Sequence, residues 1–212
     1  INQWLMGQMG YIGPMLGQHH QFHHYNPGKS EFGENRYFKI SERIYKELDD
    51  RACLLANWLQ RKGVQKGDRV AILSQNCAEF FELEFACAKI GAIELPLNWR
   101  LTKPELEYIL NDSTPKVLIY DVSFSDISNE LVKDCNISSS LEIDKEDLES
   151  EYEISLKESS YDFDQPDNNQ EDLIMIMYTS GTTGHPKGAM INHQMQLYNA
   201  INLASPAFVA TD

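Results

Sequence analysis

Apolar side chains along the chain follow two kinds of pattern, one with helical spacing and one typical of buried strands. Three segments with helical spacing predict helices near residues 45–62, 77–90 and 103–111. Gly63 and Gly91 supply stop signals for the first two helices, while Thr102 and Glu105 form a capping-box pattern at the start of the third. Because the second helix is apolar on nearly every side, we expect protein to cover it on more than one side.

Short apolar runs lie between these helices and predict buried strands. The runs are near residues 70–74, 93–97, 116–120 and 172–178, and a further short strand is expected over 189–192, before a helix that extends to about 204. Short strands that alternate with helices are typical of β-α-β units. The sequence therefore predicts an α/β fold with a mostly parallel sheet flanked by helices.

Composition divides the chain into four segments. Residues 1–40 are predicted to be an irregular leader, 41–122 a first α/β subdomain, 123–170 an acidic variable connector, and 171–212 a strand pair with the helix that follows. Sixteen acidic and three basic residues between Asp126 and Asp172 contribute -13 to the net charge of -14. We interpret the connector as solvated, with a helix over residues 127–135 and one edge strand; an acidic binding surface is the alternative.

Charge and cysteine content also bear on partners and compartment. A net charge of -14 argues against nucleic acid as a partner, since phosphate backbones are bound by clustered Lys and Arg. No apolar run approaches the ~20 residues of a membrane-spanning helix, and the first residues do not have the pattern of a signal peptide. The four cysteines are widely spaced and include no C-x-x-C pair, which favours reduced thiols in a cytoplasmic protein.

Four of the six histidines lie together, at His19, His20, His23 and His24. On a helix they would form two i,i+4 pairs able to chelate a transition metal. No acidic or thiolate ligand stands beside them, so we interpret the cluster as a surface or packing feature and expect it to bind no metal.

The candidate chemistry is concentrated between Tyr178 and Gly188, which read Y-T-S-G-T-T-G-H-P-K-G. Hydroxyl groups and unhindered backbone N–H groups can converge there on one anion, and Lys187 adds a positive charge on a long stem. A Walker-type P-loop needs Gly directly before the lysine and Ser or Thr directly after it, whereas this chain has Pro186 and Gly188. The remaining alternative is an ordinary turn rich in Gly and Thr.

These eleven residues resemble the signature loop of the adenylate-forming superfamily, which comprises acyl-CoA synthetases, luciferases and the adenylation domains of peptide synthetases. The resemblance implies that the loop closes over the β- and γ-phosphates of ATP while a substrate carboxylate attacks the α-phosphorus, giving an acyl-adenylate and pyrophosphate. The implied phosphate contacts are Thr179, Ser180, Gly181, Thr182, Thr183, Gly184 and Lys187. His193 matches a histidine that lines the acyl pocket in several members, so we expect substrate contact; helix capping is the alternative.

The stretch from Pro96 to Leu101 is closer to acyl-CoA synthetases than to peptide-synthetase adenylation domains. The resemblance therefore implies part of the larger N-terminal domain of an ATP-dependent acid–thiol ligase. It would act on a long- or medium-chain fatty acid or another hydrophobic carboxylate, with ATP, Mg²⁺ and CoA in the full-length parent. Motifs for adenine, ribose and magnesium binding do not occur in this sequence, so we expect an N-terminal fragment that is inactive alone.

Two alternatives remain at this point. The chain could come from the adenylation domain of another, carrier-protein-dependent system, or it could be a non-catalytic interaction module that retains the scaffold and uses its acidic connector as the working surface. The phosphate loop favours an enzyme, since an interaction module does not need seven phosphate donors and a lysine in register. A partial domain would also leave an apolar face uncovered, so association into a homodimer is expected.

Overall fold

A computed structural model describes residues 45–179 and 186–209, with side chains to residue 202. Its helices and strands, in chain order, are α1 (Tyr45–Arg61), β1 (Arg69–Leu73), α2 (Ala78–Ile90), β2 (Ile93–Pro96), α3 (Lys103–Ser113), β3 (Val117–Asp121), α4 (Ser125–Asp134), β4 (Ser139–Ile143), α5 (Glu151–Lys157), β5 (Leu173–Thr179), β6 (Lys187–Asn192) and α6 (His193–Val209). A single 3₁₀ turn, Val122–Phe124, links β3 to α4. The three helices and four strands predicted from the hydrophobic pattern are all present, with boundaries within about two residues.

The six strands form one sheet in the order β4-β3-β1-β2-β5-β6. The first four neighbouring pairs are parallel, and only β5 and β6 are antiparallel. This arrangement confirms the predicted α/β fold with a mostly parallel sheet flanked by helices.

The parallel strands β1, β2 and β3 are buried on both faces, as is typical of a parallel sheet, whereas most of β6 is exposed. Successive side chains of β1 alternate between two clusters: Ile72 points to the face covered by α1, α2 and α5, and Ala71 to the face covered by α3 and α4. Leu59 and Leu83 fill the first layer, and Leu110 belongs to the second. Helix α2 is buried along most of its length, which confirms that it is covered on more than one side.

The residues predicted to end α2 and to begin α3 do so in the structure. Gly91 follows α2 with φ 69°, and a Cβ built there would lie 2.6 Å from Oδ1 of Asn168, so both the backbone conformation and the space favour glycine. At the start of α3 the backbone N–H of Thr102 donates to Oε2 of Glu105 at 2.8 Å. The capping box is therefore confirmed.

The acidic segment contains more regular structure than its composition indicates. It forms α4, β4 and α5, and β4 is the outer strand of the sheet, paired in parallel with β3. Leu131, Leu141 and Tyr152 are buried, whereas Leu148, Ile154 and Tyr161 are exposed. The predicted helix and edge strand are present as α4 and β4, but α5 was not predicted, because its two buried side chains give no clear period. The division into domains at 122 and 170 stays a prediction.

Arg51 connects three helices on the first face of the sheet. Its Nε donates to Oε1 of Glu82 on α2 at 2.9 Å, and its two terminal nitrogens donate to both oxygens of Glu153 on α5 at 2.9 and 2.6 Å. The Tyr152 hydroxyl donates to the other oxygen of Glu82 at 2.8 Å. The side chain of Glu82 is fully buried, so this network fixes the acidic segment to the core.

All four cysteines are free, and burial raises the pKa of Cys77 to about 12 and that of Cys87 well above its ordinary value. The prediction of reduced thiols is consistent with these positions. Within the described ranges, no helix combines the length and apolarity needed to cross a membrane.

Candidate functional site

The two ends of the expected phosphate loop meet in the β5–β6 hairpin. Thr179, the last residue of β5, pairs with Lys187, the first residue of β6. Ser180, Gly181, Thr182, Thr183 and Gly184 lie outside the described residues, so the structure places the two ends of the loop and not its middle. Because the ends lie side by side, the hydroxyl of Thr179 and the stem of Lys187 start from the same end of the hairpin.

Lys187 is exposed and makes no ion pair with another described residue. In a chain with 32 acidic and 18 basic residues, an ammonium group without a carboxylate partner among the described residues is available to an external anion. The arrangement therefore offers what a phosphate site needs at this position, an exposed cation beside a hydroxyl group.

The base of the loop is crowded around Tyr178. Tyr178 pairs with Gly188 across the hairpin, and a Cβ on Gly188 would lie 3.3 Å from two carbons of the tyrosine ring and 2.9 Å from Cγ2 of Ile176. The phenol donates a hydrogen bond to Oδ2 of Asp112 at the end of α3. Burial and the Asp112 carboxylate raise the pKa of Tyr178 above its usual range, so the phenol keeps its proton.

His193 lies at the opposite end of the hairpin from Lys187. The strand register joins Asn192 to Leu173, and six residues of extended chain span roughly 17 Å. The backbone N–H of His193 donates to the carbonyl oxygen of Asp172 at 3.2 Å, and the cap of α6 is the side chain of Asn192 rather than His193. The structure thus does not bring His193 together with the phosphate loop, and its contact with substrate stays a prediction.

A buried carboxyl pair, which the sequence reading missed, lies beneath α6. Glu84 of α2 and Glu94 of β2 are 6% and 1% exposed. The side-chain amide of Gln196 on α6 donates to Glu84, whereas Oε1 of Glu94 has no hydrogen-bond partner among the described residues. Burial, with the neighbouring carboxylate as the second cause for Glu94, raises the pKa of both groups. The available signal was an acidic residue inside the apolar run of β2.

No group of three or more His, Cys, Asp or Glu side chains among the described residues is arranged to hold a metal ion. The cluster at 19–24 lies outside those residues, so the expectation that it binds no metal stays untested. Exposed apolar side chains do occur on β6 and α6, namely Met190, Met195, Leu197, Tyr198 and Ile201. The uncovered face predicted from the sequence was elsewhere, at residues 173–177 and around residues 80–88, and the second of these stretches is largely buried in α2. Homodimer formation stays a prediction.

The mostly parallel sheet flanked by helices, with an antiparallel hairpin that ends in a lysine, defines an α/β domain with a candidate anion-binding loop. The family model described as AMP-binding enzyme matches residues 28–211. The chain therefore belongs to the AMP-binding enzyme family.

Several proteins similar to this chain are named as CoA synthases or CoA ligases. The chain is 36% identical over 170 residues to a feruloyl-CoA synthase of Amycolatopsis sp, covering 79% of this chain and 32% of the relative. It is 35% identical over 152 residues to the long-chain-fatty-acid–CoA ligase FadD13 of Mycobacterium tuberculosis, covering 71% and 29%. The crystal structure of the N-terminal domain of FACL13 from the same species matches with a TM-score of 0.63 and 34% identity, covering 71% of this chain and 37% of that one. The chain spans about a third of the length of these curated relatives.

Proposed function

We propose that this chain is the N-terminal part of an AMP-forming acid–thiol ligase. In the first step, a carboxylate oxygen of the substrate attacks the α-phosphorus of ATP, the bond to the β-phosphate oxygen breaks, and pyrophosphate leaves. In the second step, the thiol of CoA attacks the carbonyl carbon of the acyl-adenylate, loses its proton, and displaces AMP to leave a thioester. The family match over residues 28–211 supports this reaction class.

The observation that carries the proposal is the pairing of Thr179 with Lys187 at the ends of the loop. The hydroxyl of Thr179 and the ammonium of Lys187 would hold the β- and γ-phosphates, together with Ser180, Gly181, Thr182, Thr183 and Gly184 from the middle of the loop. Neutralising the charge that develops on the departing pyrophosphate lowers the barrier, and one such donor or charge is typically worth about 2.7–4 kcal/mol.

We further propose a hydrophobic carboxylate as substrate. Two relatives are a feruloyl-CoA synthase and a long-chain-fatty-acid–CoA ligase, and the acids in these names share a carboxylate on an apolar body. This range supports the chemical class, and a long- or medium-chain fatty acid is our proposal within it. Magnesium would accompany ATP, and CoA would be the thiol acceptor.

The chain alone should not form an acyl-adenylate. The described residues supply contacts for the leaving pyrophosphate, whereas orientation of the carboxylate and binding of adenine need residues beyond those identified here. Positioning of two reactants typically lowers the barrier by several kcal/mol, so a phosphate loop without the residues that position the carboxylate and the adenine gives no useful rate.

The test is exchange of labelled pyrophosphate into ATP, measured in a protein of the relatives' length that contains this chain, with a panel of carboxylic acids. We expect exchange that depends on a hydrophobic acid, and we expect Lys187→Ala to lower its rate on the order of a hundredfold. Lys133→Ala is the matched control, because Lys133 is also exposed and makes no ion pair with a described residue.

Three results would contradict the proposal in different ways. Unchanged exchange in Lys187→Ala would show that the loop does not handle pyrophosphate. Exchange without thioester formation on CoA, but with transfer to a carrier protein, would favour the carrier-dependent alternative. Absence of both exchange and nucleotide binding would favour an interaction module.

A further inference from the structure

Strand β6, which begins at Lys187, is weakly held within the part of the chain that the structure describes. It is the last of the six strands, and its backbone pairs with β5. Four of its six residues are exposed, from Lys187 to Met190. The position of Lys187 therefore depends strongly on what holds the end of β5.

Tyr178 holds that end. Its ring packs with the cluster that includes Leu106 and Leu110 of α3, and its hydroxyl donates to the carboxylate of Asp112 on the same helix. Tyr178 directly precedes Thr179, the first residue expected to contact phosphate. A hydrogen bond to a charged acceptor is stronger than one between neutral groups, and this one joins residues that are 66 positions apart.

The same ring also positions the other end of the loop. Gly188 directly follows Lys187, and the ring of Tyr178 occupies the space that a side chain on Gly188 would need. The absence of a side chain therefore lets the tyrosine ring lie against the backbone of β6. One side chain thus touches the backbone beside both Thr179 and Lys187.

We propose that Tyr178 and Asp112 are positioning residues for the phosphate loop: their hydrogen bond, with the tyrosine ring against Gly188, sets the distance and direction from which Lys187 reaches the phosphates. This inference rests on the proposed function, because it concerns the same loop. Neither residue contacts substrate in this account. They act through the placement of Thr179 and Lys187, and a misplacement of about 1 Å can cost on the order of a hundredfold in rate.

The main test uses Tyr178→Phe, which keeps the ring over Gly188 and removes the hydroxyl, and Asp112→Ala, which removes the acceptor from an exposed position on α3. Each variant should lower the turnover number for pyrophosphate exchange about ten- to a hundredfold, with less than about threefold change in the KM for ATP. The turnover number is calculated per active site, and active sites are counted by titration of acyl-adenylate formation. Asp112→Asn should retain most of the rate, since its amide oxygen can still accept the hydrogen bond. Tyr161→Phe is the matched control, because Tyr161 is 62% exposed.

Double variants separate positioning from a general loss of structure. Tyr178→Phe with Asp112→Ala should be no slower than either single variant, because both remove the same hydrogen bond. In a Lys187→Ala background, Tyr178→Phe should lower the rate by a smaller factor than in the wild type, because only the placement of Thr179 remains to be disturbed. Effects that multiply in both combinations, or a loss explained entirely by fewer titratable sites or by a lower melting temperature, would overturn the inference.

Binding of magnesium pyrophosphate, measured by calorimetry in the same protein, distinguishes this inference from the proposed function. The wild type could bind pyrophosphate, and Tyr178→Phe could bind it several-fold more weakly, while neither protein catalyses exchange; that result would support the positioning role and refute the proposed reaction. Normal exchange in the wild type, with unchanged turnover in Tyr178→Phe and Asp112→Ala, would support the proposed reaction and refute the positioning role. A wild type that neither binds pyrophosphate nor exchanges it would refute both.

Discussion

Replacing Arg51 with methionine should destabilise the fold by about 3–5 kcal/mol, the range for breaking one side of a buried ion pair. The side chain of Glu82 is 0% exposed, and Arg51 is the cation that faces it. Methionine keeps much of the apolar stem of arginine, so the loss would come from the charge left in the core rather than from a cavity.

The contribution of the second carboxylate should be smaller. Glu153 is 18% exposed and accepts two hydrogen bonds from Arg51, so water can replace part of what the pair provides. We expect Glu153→Gln to cost about 1 kcal/mol. Arg61→Met is the matched control on the same helix, since Arg61 is exposed and donates only to the backbone oxygen of Glu158.

Urea unfolding followed by far-UV circular dichroism measures these differences. With a slope of about 2 kcal/mol per molar urea, Arg51→Met should lower the midpoint by about 1.5–2.5 M at unchanged slope. Adding Glu82→Gln should restore at least half of the loss, because the uncompensated charge is then gone. A loss below about 1 kcal/mol for Arg51→Met, or no recovery in the double variant, would refute this account of the network.

Two further predictions concern Glu94 and His193. Burial raises the pKa of Glu94, so the contribution of its protonated form to stability is complete below the ordinary glutamate pKa and is lost as pH rises towards the raised value. In that window the free energy of unfolding of Glu94→Gln should rise relative to the wild type by at most about 1.4 kcal/mol per pH unit. The same difference in urea midpoint between the two proteins at pH 4.5 and at pH 8 would contradict this prediction. His193→Ala, in a protein of the relatives' length, should leave the KM for ATP unchanged, because His193 is about 17 Å or more along the hairpin from Lys187. A changed preference among carboxylic acids would support substrate contact, and an unchanged preference would contradict it.

The elements that could be predicted from sequence are those whose signals are local. The apolar runs that became β1 and β3 are continuous because a parallel strand is buried on both faces. Thr102 and Glu105 are three residues apart, so their capping box is visible in the sequence itself. The loop between Thr179 and Lys187 could also be recognised from a local pattern, since its expected phosphate contacts come from neighbouring residues in the sequence.

The contacts that could not be predicted join residues far apart in the chain. Nothing near Tyr178 in the sequence indicates that Asp112 would accept its hydrogen bond. Helix α5 has only seven residues and two buried side chains, too few to give a clear period, and its attachment depends on Arg51, which is 102 positions away from Glu153. Glu84 and Glu94 read as ordinary charged residues until the fold places both under α6.

Part of the acidic segment lies far from Lys187, which bears on the proposed phosphate site. Helix α4, strand β4 and helix α5 lie at the β4 edge of the sheet, and β6 is the opposite edge, five strand intervals away. At about 4.8 Å per interval the two edges are roughly 24 Å apart, which is more than twice the ~8–10 Å over which salt at physiological concentration screens exposed charges. The carboxylates of these three elements would therefore exert little repulsion on a phosphate at the proposed site. The net charge of -14 describes the whole molecule, whereas the potential at the hairpin depends on the residues beside it.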